Sequence, residues 1–258
     1  MDLSIIILNY HNKNLTKELL KNIVEELNLP YQYEIIVVDN ASYDGIKDIV
    51  EQKFPDVKFI QSKKNGGFAY GNNLGIKAAK GKYIMIMNPD LAILSDGIQK
   101  MYQYMETHPE VGLAGPRLIN ADKSVQYSCT RFPDWKLPLY RRTSLGDSES
   151  GKAWLDSYLM KDLDHYQNNF VPALFGACLI ARRDSLDKVG LLDEKSEGMF
   201  SGKAVEEIKP ILRQAVMLSR KYCCVVANPP YMGGKGMNGQ LSQWAKDNYP
   251  DSKSDLFS

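Results

Sequence analysis

Apolar residues in the first 115 positions fall into short runs separated by amphipathic stretches, a rhythm that predicts alternating strands and helices. Leu3–Leu8, with three isoleucines, suits a strand covered on both faces. Residues 16–27 then space Leu19, Leu20, Ile23, Val24 and Leu27 at helical intervals with charges between them. Glu34–Val38 is a second buried strand, Gly45–Gln52 a helix and Val57–Gln61 a short strand. Asn72–Ala79 reads as a helix, and Tyr83–Met87 as a strand stopped by Asn88-Pro89-Asp90. Such alternation predicts an α/β fold with a mainly parallel sheet flanked by helices. Ligands of these sheets sit beyond the carboxyl ends of the strands, where the polar clusters of this chain fall.

The pattern weakens after that. Residues 120–170 are rich in Tyr, Trp, Arg, Asp and Ser and show little periodicity. Phe170–Ala181 resumes an apolar pattern, and Arg182–Val189 reads as a short helix. Residues 194–203 are polar and turn-like, 205–218 predict an amphipathic helix containing Pro210, and Cys223–Ala227 is strand-like.

Composition changes this picture little. The chain has 258 residues, 44% of them hydrophobic, and its 32 basic and 31 acidic residues nearly cancel, so a broad nucleic-acid surface is not expected. No apolar run approaches the roughly 18 residues of a membrane helix, and the N-terminus has no secretory signal pattern. The four cysteines show neither a Cys-x-x-Cys pair nor zinc spacing, so reduced thiols and a cytoplasmic location are expected.

Three segments carry candidate chemistry. Asp39 ends a buried strand, where its carboxylate could accept hydrogen bonds from a nucleotide base or ribose; a turn or helix-capping aspartate has the same local pattern, as at Asp44. Residues 65–75 hold four glycines among asparagines, which suits close approach of backbone to a ligand or simply a flexible loop. Asn88-Pro89-Asp90 follows a strand, either as a turn or as the holder of a hard cation through oxygen.

Taken together, Ser4–Tyr10, Val37–Gly45, Asn65–Ile76 and Gly81–Asp90, then Phe175–Arg183 and Val189–Glu194, resemble a family 2 glycosyltransferase with the GT-A fold, of the rhamnosyltransferase-like branch. The resemblance covers residues 1–194, with a nucleotide-sugar half over about 1–115 and an acceptor half over about 116–194. It implies inverting, metal-dependent transfer of a sugar such as rhamnose from a nucleotide-diphospho-sugar donor to a glycan or lipid-linked acceptor in polysaccharide biosynthesis. A peripheral position at the inner face of the membrane would follow from a lipid-linked acceptor. Donor binding is implied at Asn9, Asp39, Asn65, Gly67, Asn72, Asn73, Asn88 and Asp90, with Mg²⁺ or Mn²⁺ on Asp90. Gly176, Ala177 and Cys178 take the acceptor side.

The family's general base belongs to an acidic pair soon after the match to Asp193-Glu194, but the corresponding positions near Gly202-Lys203 hold no carboxylate. Glu206 and Glu207 are the nearest candidates, and a solvated helix face accounts for them as well. Residues 195–258 instead resemble, from about 204 onward, a fragment of an adenine-N6 DNA methyltransferase of the phage-defence type. Leu218–Gly233, with its Asn228-Pro229-Pro230-Tyr231 turn, carries that likeness. In such enzymes the turn grips a flipped adenine. No Gly-rich S-adenosylmethionine turn precedes it in residues 195–227, so DNA methylation is not expected. The fragment's apolar strand is expected at a sheet edge or loose.

Overall fold

The computed structural model describes residues 1–26, 29–94, 96–134, 136–193 and the strand at 215–226. The first half runs β1 (Leu3–Asn9), α1 (Lys13–Glu26), β2 (Tyr33–Asp39), α2 (Ile46–Lys53), β3 (Lys58–Gln61), α3 (Gly67–Ala78) and β4 (Tyr83–Met87). Then come β5 (Leu91–Ile93), α4 (Gly97–Thr107), β6 (Leu113–Ile119), β7 (Val125–Gln126), β8 (Cys129–Thr130) and α5 (Lys136–Arg142). After a 3₁₀ turn at Ser144–Asp147 follow α6 (Glu149–Tyr158), β9 (Asn169–Phe170), β10 (Ala173–Leu174), β11 (Cys178–Arg182), α7 (Arg183–Val189) and β12 (Ala215–Val226).

Among the described residues ten strands join one sheet along the path β3-β2-β1-β4-β11-β6-β12-β5, with β7 on β6 and β9 on β12. The first four strands pair in parallel, so the carboxyl ends of β1, β2, β3 and β4 lie on one edge. From β11 onward the sheet is mixed, because β11 runs antiparallel to both β4 and β6.

Period-2 alternation shows why both faces are covered. On β1, Leu3, Ile5 and Ile7 point into a core shared with α1, α2 and α4, while Ile6 points to the opposite face and packs with Ile76 of α3. The same split separates Ile35 and Val37 from Ile36 and Val38 on β2, and Tyr83, Met85 and Met87 from Ile84 and Ile86 on β4. Strands buried on both sides read as continuous apolar runs, as they do here. Helix α3 lies close to β1 because its glycines face the strand: a Cβ on Gly71 would fall 2.4 Å from Leu8 Cδ1, and one on Gly75 2.5 Å from Ile6 Cγ2. These two glycines therefore serve helix–sheet packing.

Several elements depart from the sequence reading. Helix α3 begins at Gly67 rather than Asn72, since Asn65 Oδ1 accepts from Gly67 N and pins a start at a glycine whose φ is +81°. Helix α4 has no counterpart in that reading, although Ile98, Met101 and Met105 are buried at helical spacing. Residues 215–218, read as the end of a helix, are strand, because their backbone pairs with Leu113–Pro116 of β6. Nor does that strand lie at an edge: β12 runs between β6 and β5. Its register slips between Leu218 and Cys223, opposite Pro116 and Arg117, where proline has no N–H for the ladder. Cys129 and Cys178 are buried free thiols, and burial pushes the Cys129 pKa up to about 11.

Candidate donor and cation site at the carboxyl edge of the sheet

Asn9 and Asp39 end neighbouring parallel strands and are directly opposed in register. Both are fully buried. Asn9 Nδ2 donates to Asp39 Oδ1 at 2.9 Å, to Ser42 Oγ at 3.0 Å and to both oxygens of Asp44, while Thr16 Oγ1 donates to Asn9 Oδ1 at 2.8 Å. Asp39 Oδ1 also accepts from the Ser42 hydroxyl. Its Oδ2 accepts from Tyr43 N at 3.0 Å and Gln61 Nε2 at 2.8 Å. Burial alone would raise the Asp39 pKa, but the donors Ser42, Gln61, Asn9 and the Tyr43 amide outweigh it and hold the carboxyl below its ordinary range. Asp39 is thus an anion whose acceptor positions are taken within the protein. Asp44 receives Ile46 N at 3.1 Å, at the start of α2, and Lys13 N at 3.1 Å.

The next residue, Asn40, ties this strand end to the glycine loop. Its Nδ2 donates to Asn65 Oδ1 at 2.8 Å and Gly67 O at 3.2 Å, and its Oδ1 accepts from Gly66 N at 3.3 Å. The loop at the N-terminus of α3 is therefore held in shape by two asparagines, Asn40 and Asn65, of which Asn40 was not a candidate.

Asn72 and Asn73 are engaged with the protein. Asn72 Nδ2 donates one turn back to Phe68 O at 2.9 Å, and its buried Oδ1 has no partner. Asn73 brackets the backbone of Leu192: Nδ2 donates to Leu192 O at 2.8 Å and Oδ1 accepts from Leu192 N at 3.0 Å. It anchors the stretch leading to Asp193 onto α3.

Strand pairing brings Asn88 beside Gly176–Cys178, with Asp90 two residues further along the turn. Met87 is opposite Cys178, and Asn88 N donates to Ala177 O at 2.8 Å. Phe68, at the start of α3, closes on the same segment, since a Cβ on Gly176 would fall 2.9 Å from Phe68 Cζ. Asp90 Oδ1 is buried and has no hydrogen-bond partner. Burial pushes the Asp90 pKa up, with its own backbone amide pulling the other way. A buried carboxylate oxygen without a protein donor fits a hard divalent cation, which would supply the missing countercharge. Among the described residues no group of three or more His, Cys, Asp or Glu could hold a metal, so Asp90 would act with ligand and water oxygens. Glu206 and Glu207 lie outside the described residues.

The sequence profile described as glycosyl transferase family 2 matches residues 4–190. The chain is 26% identical over 175 residues to the N-acetylglucosaminyl-diphospho-decaprenol L-rhamnosyltransferase of Mycobacterium tuberculosis, covering 62% of this chain and 55% of that protein. It is 60% identical over 55 residues to the adenine-specific methyltransferase BrxX of Escherichia coli O9:H4, covering 21% of this chain and 5% of that protein. That short match bears out the resemblance to a methyltransferase fragment. Among solved structures, the mannosyltransferase PcManGT from Pyrobaculum calidifontis, in complex with GDP-Man and Mn²⁺, aligns with a TM-score of 0.58 at 19% identity, covering 90% of this chain and 58% of that one. This likeness establishes the GT-A fold. The chain spans just over half the length of the curated glycosyltransferase it matches and a twentieth of the methyltransferase.

Proposed function

As the chain belongs to glycosyl transferase family 2, we propose that it takes a sugar, rhamnose or a close relative, from a nucleotide-diphospho-sugar to a glycan or lipid-linked polysaccharide precursor, with inversion and with Mg²⁺ or Mn²⁺. The observation that carries this reading is the buried, unpartnered oxygen of Asp90, in the turn three residues beyond the Met87–Cys178 strand pair. A bound cation there would neutralise diphosphate charge as the sugar departs. Asp39 would take the ring N–H of the base, and Asn40 with Asn65 would keep the Gly66-Gly67 amides in place beside the donor. The rhamnose assignment rests on the mycobacterial relative. Among the described residues no helix is long and apolar enough to cross a membrane, and a peripheral position is proposed only through a lipid-linked acceptor.

A second reading, a nucleotide-sugar-binding protein with impaired turnover, is favoured by one specific observation. Gly202 and Lys203 stand where the family's base is expected. General-base assistance is worth about 10²–10⁴-fold. On this reading donor binds while transfer runs no faster than donor hydrolysis. Residues 195–258 would then add no methyl transfer, since no Gly-rich cofactor turn precedes Asn228-Pro229-Pro230-Tyr231 in residues 195–227.

Isothermal titration with UDP-, dTDP- and GDP-sugars, with and without Mn²⁺, tests the site. Binding of one donor should need the metal and disappear in Asp90→Ala; unchanged binding in that variant refutes the cation assignment.

A further inference from the structure

Asp39 is fully buried although it ends a strand at the ligand edge, so a donor base reaches its carboxylate only if one of the four groups bonded to it moves. Asn9 cannot yield easily, being fully buried and tied also to Thr16, Ser42 and Asp44. Tyr43 donates through its main chain from a turn held at a φ of 50°, and Ser42 belongs to the same turn. Gln61 differs from all three. It is exposed, it reaches Asp39 Oδ2 at 2.8 Å from the end of edge strand β3, and its other bonds are longer ones to main-chain carbonyls, Ser62 O at 3.2 Å and Asp39 O at 3.4 Å. It also lines a surface groove of about 530 Å³ between α2 and β3, with Lys47, Glu51, Pro55, Val57 and Phe59, which gives the side chain somewhere to go.

We infer that Gln61 is a gate on the nucleobase subsite: its amide N–H stands at Asp39 Oδ2 in place of a base's ring N–H, and it swings out when that base arrives. This rests on the reading that Asp39 meets the donor. Only the N–H end of the Gln61 amide can face a carboxylate, and an N–H beside a carbonyl is the same chemical group that uracil, thymine and guanine present on their pairing edge. Cytosine and adenine present a ring lone pair there, which the carboxylate repels. Gln61 thus competes with the bases that the site accepts and does nothing to exclude the others.

A competitor that keeps the open state near one tenth weakens apparent affinity about tenfold, and removing it restores that factor. The full-length chain would be titrated with UDP, dTDP, GDP, ADP and CDP, each with Mn²⁺, as wild type, Gln61→Ala and Gln61→Met. Both variants should bind the preferred nucleotide of the first three about tenfold tighter, with ADP and CDP weak and unchanged. Met keeps the bulk but not the donor, so it also decides the matter if the Ala variant folds poorly. A merely structural role would weaken every nucleotide alike. Binding no tighter than wild type, or a wild type that prefers ADP or CDP, overturns the gate. A wild type that binds none of the five refutes the donor reading itself.

Discussion

Replacing Asp90 by alanine should make the metal-free protein more stable while removing its response to metal and donor. The reason is the buried Oδ1 without a partner, in a carboxyl whose pKa burial raises. An unsatisfied buried polar group costs about 1–3 kcal/mol, more when charged. In a chain of this size each kcal/mol moves Tm by about 2–4 °C, so in chelator at pH 7 the variant should melt roughly 2–12 °C higher. The sign with pH follows from linkage. Folded Asp90 holds its proton more tightly than unfolded Asp90, so the penalty grows with pH and is complete above the folded pKa. It shrinks as pH falls and is gone below the unfolded value of about 3.9. The gap between wild type and variant should therefore close toward pH 4. With Mn²⁺ and a donor at 100 times Kd, wild type gains about 2.7 kcal/mol and the variant gains nothing. Scanning calorimetry under these three conditions is the assay. A variant that melts lower than wild type in chelator at pH 7, or that keeps the metal-plus-donor rise, refutes the reasoning.

Three further outcomes follow from the same physics. Asn73→Ala leaves the Leu192 N–H and C=O without their partners and should cost about 2 kcal/mol, read as a lower urea midpoint; an unchanged midpoint means the bracket contributes nothing. Gly81→Ala should destabilise more than Gly71→Ala, because its Cβ would fall 2.5 Å from the backbone nitrogen of Ser4 whereas that of Gly71 meets the Leu8 side chain, which can shift; equal melting points would contradict this. Asp39 works with the opposite sign to Asp90. Burial raises its pKa, but four hydrogen bonds lower it further, so its stabilisation is present above the unfolded pKa and is lost as pH falls through the folded one. Asp39→Asn should thus be destabilised by about 2–4 kcal/mol at pH 7, with the deficit shrinking in denaturant titrations once pH falls below about 4; a deficit constant with pH would refute the charge argument.

Much of the sheet was legible because burial on both faces leaves a direct mark on composition. Leu3–Leu8, Glu34–Val38 and Tyr83–Met87 stand out as apolar runs, and all three are strands of the parallel half. Helix α4 left a weaker mark: Ile98, Met101 and Met105 are separated by Lys, Tyr and Gln that could sit in a loop as well. The start of α3 was hidden because Gly66-Gly67 looks like a helix breaker until Asn65 and Asn40 supply the hydrogen bonds that fix it.

At the site, the motifs around Asn9, Asp39, Asn65, Asn88 and Asp90 were enough to suggest the glycosyltransferase family, and the Asn228-Pro229-Pro230-Tyr231 turn was enough to suggest a methyltransferase fragment, a likeness that a short match supports. Which of those side chains are free to meet a ligand was not readable. Asn73 is taken up by a backbone 119 positions away, and Asp39 by Gln61 through a parallel register that no local pattern encodes. Asp90, in contrast, is left with a buried oxygen that nothing bonds. Residue types and their order set what chemistry the carboxyl edge can attempt. Only packing decides which polar groups are already satisfied, because hydrogen-bond partners are chosen by distance in space and burial makes each unmet one costly.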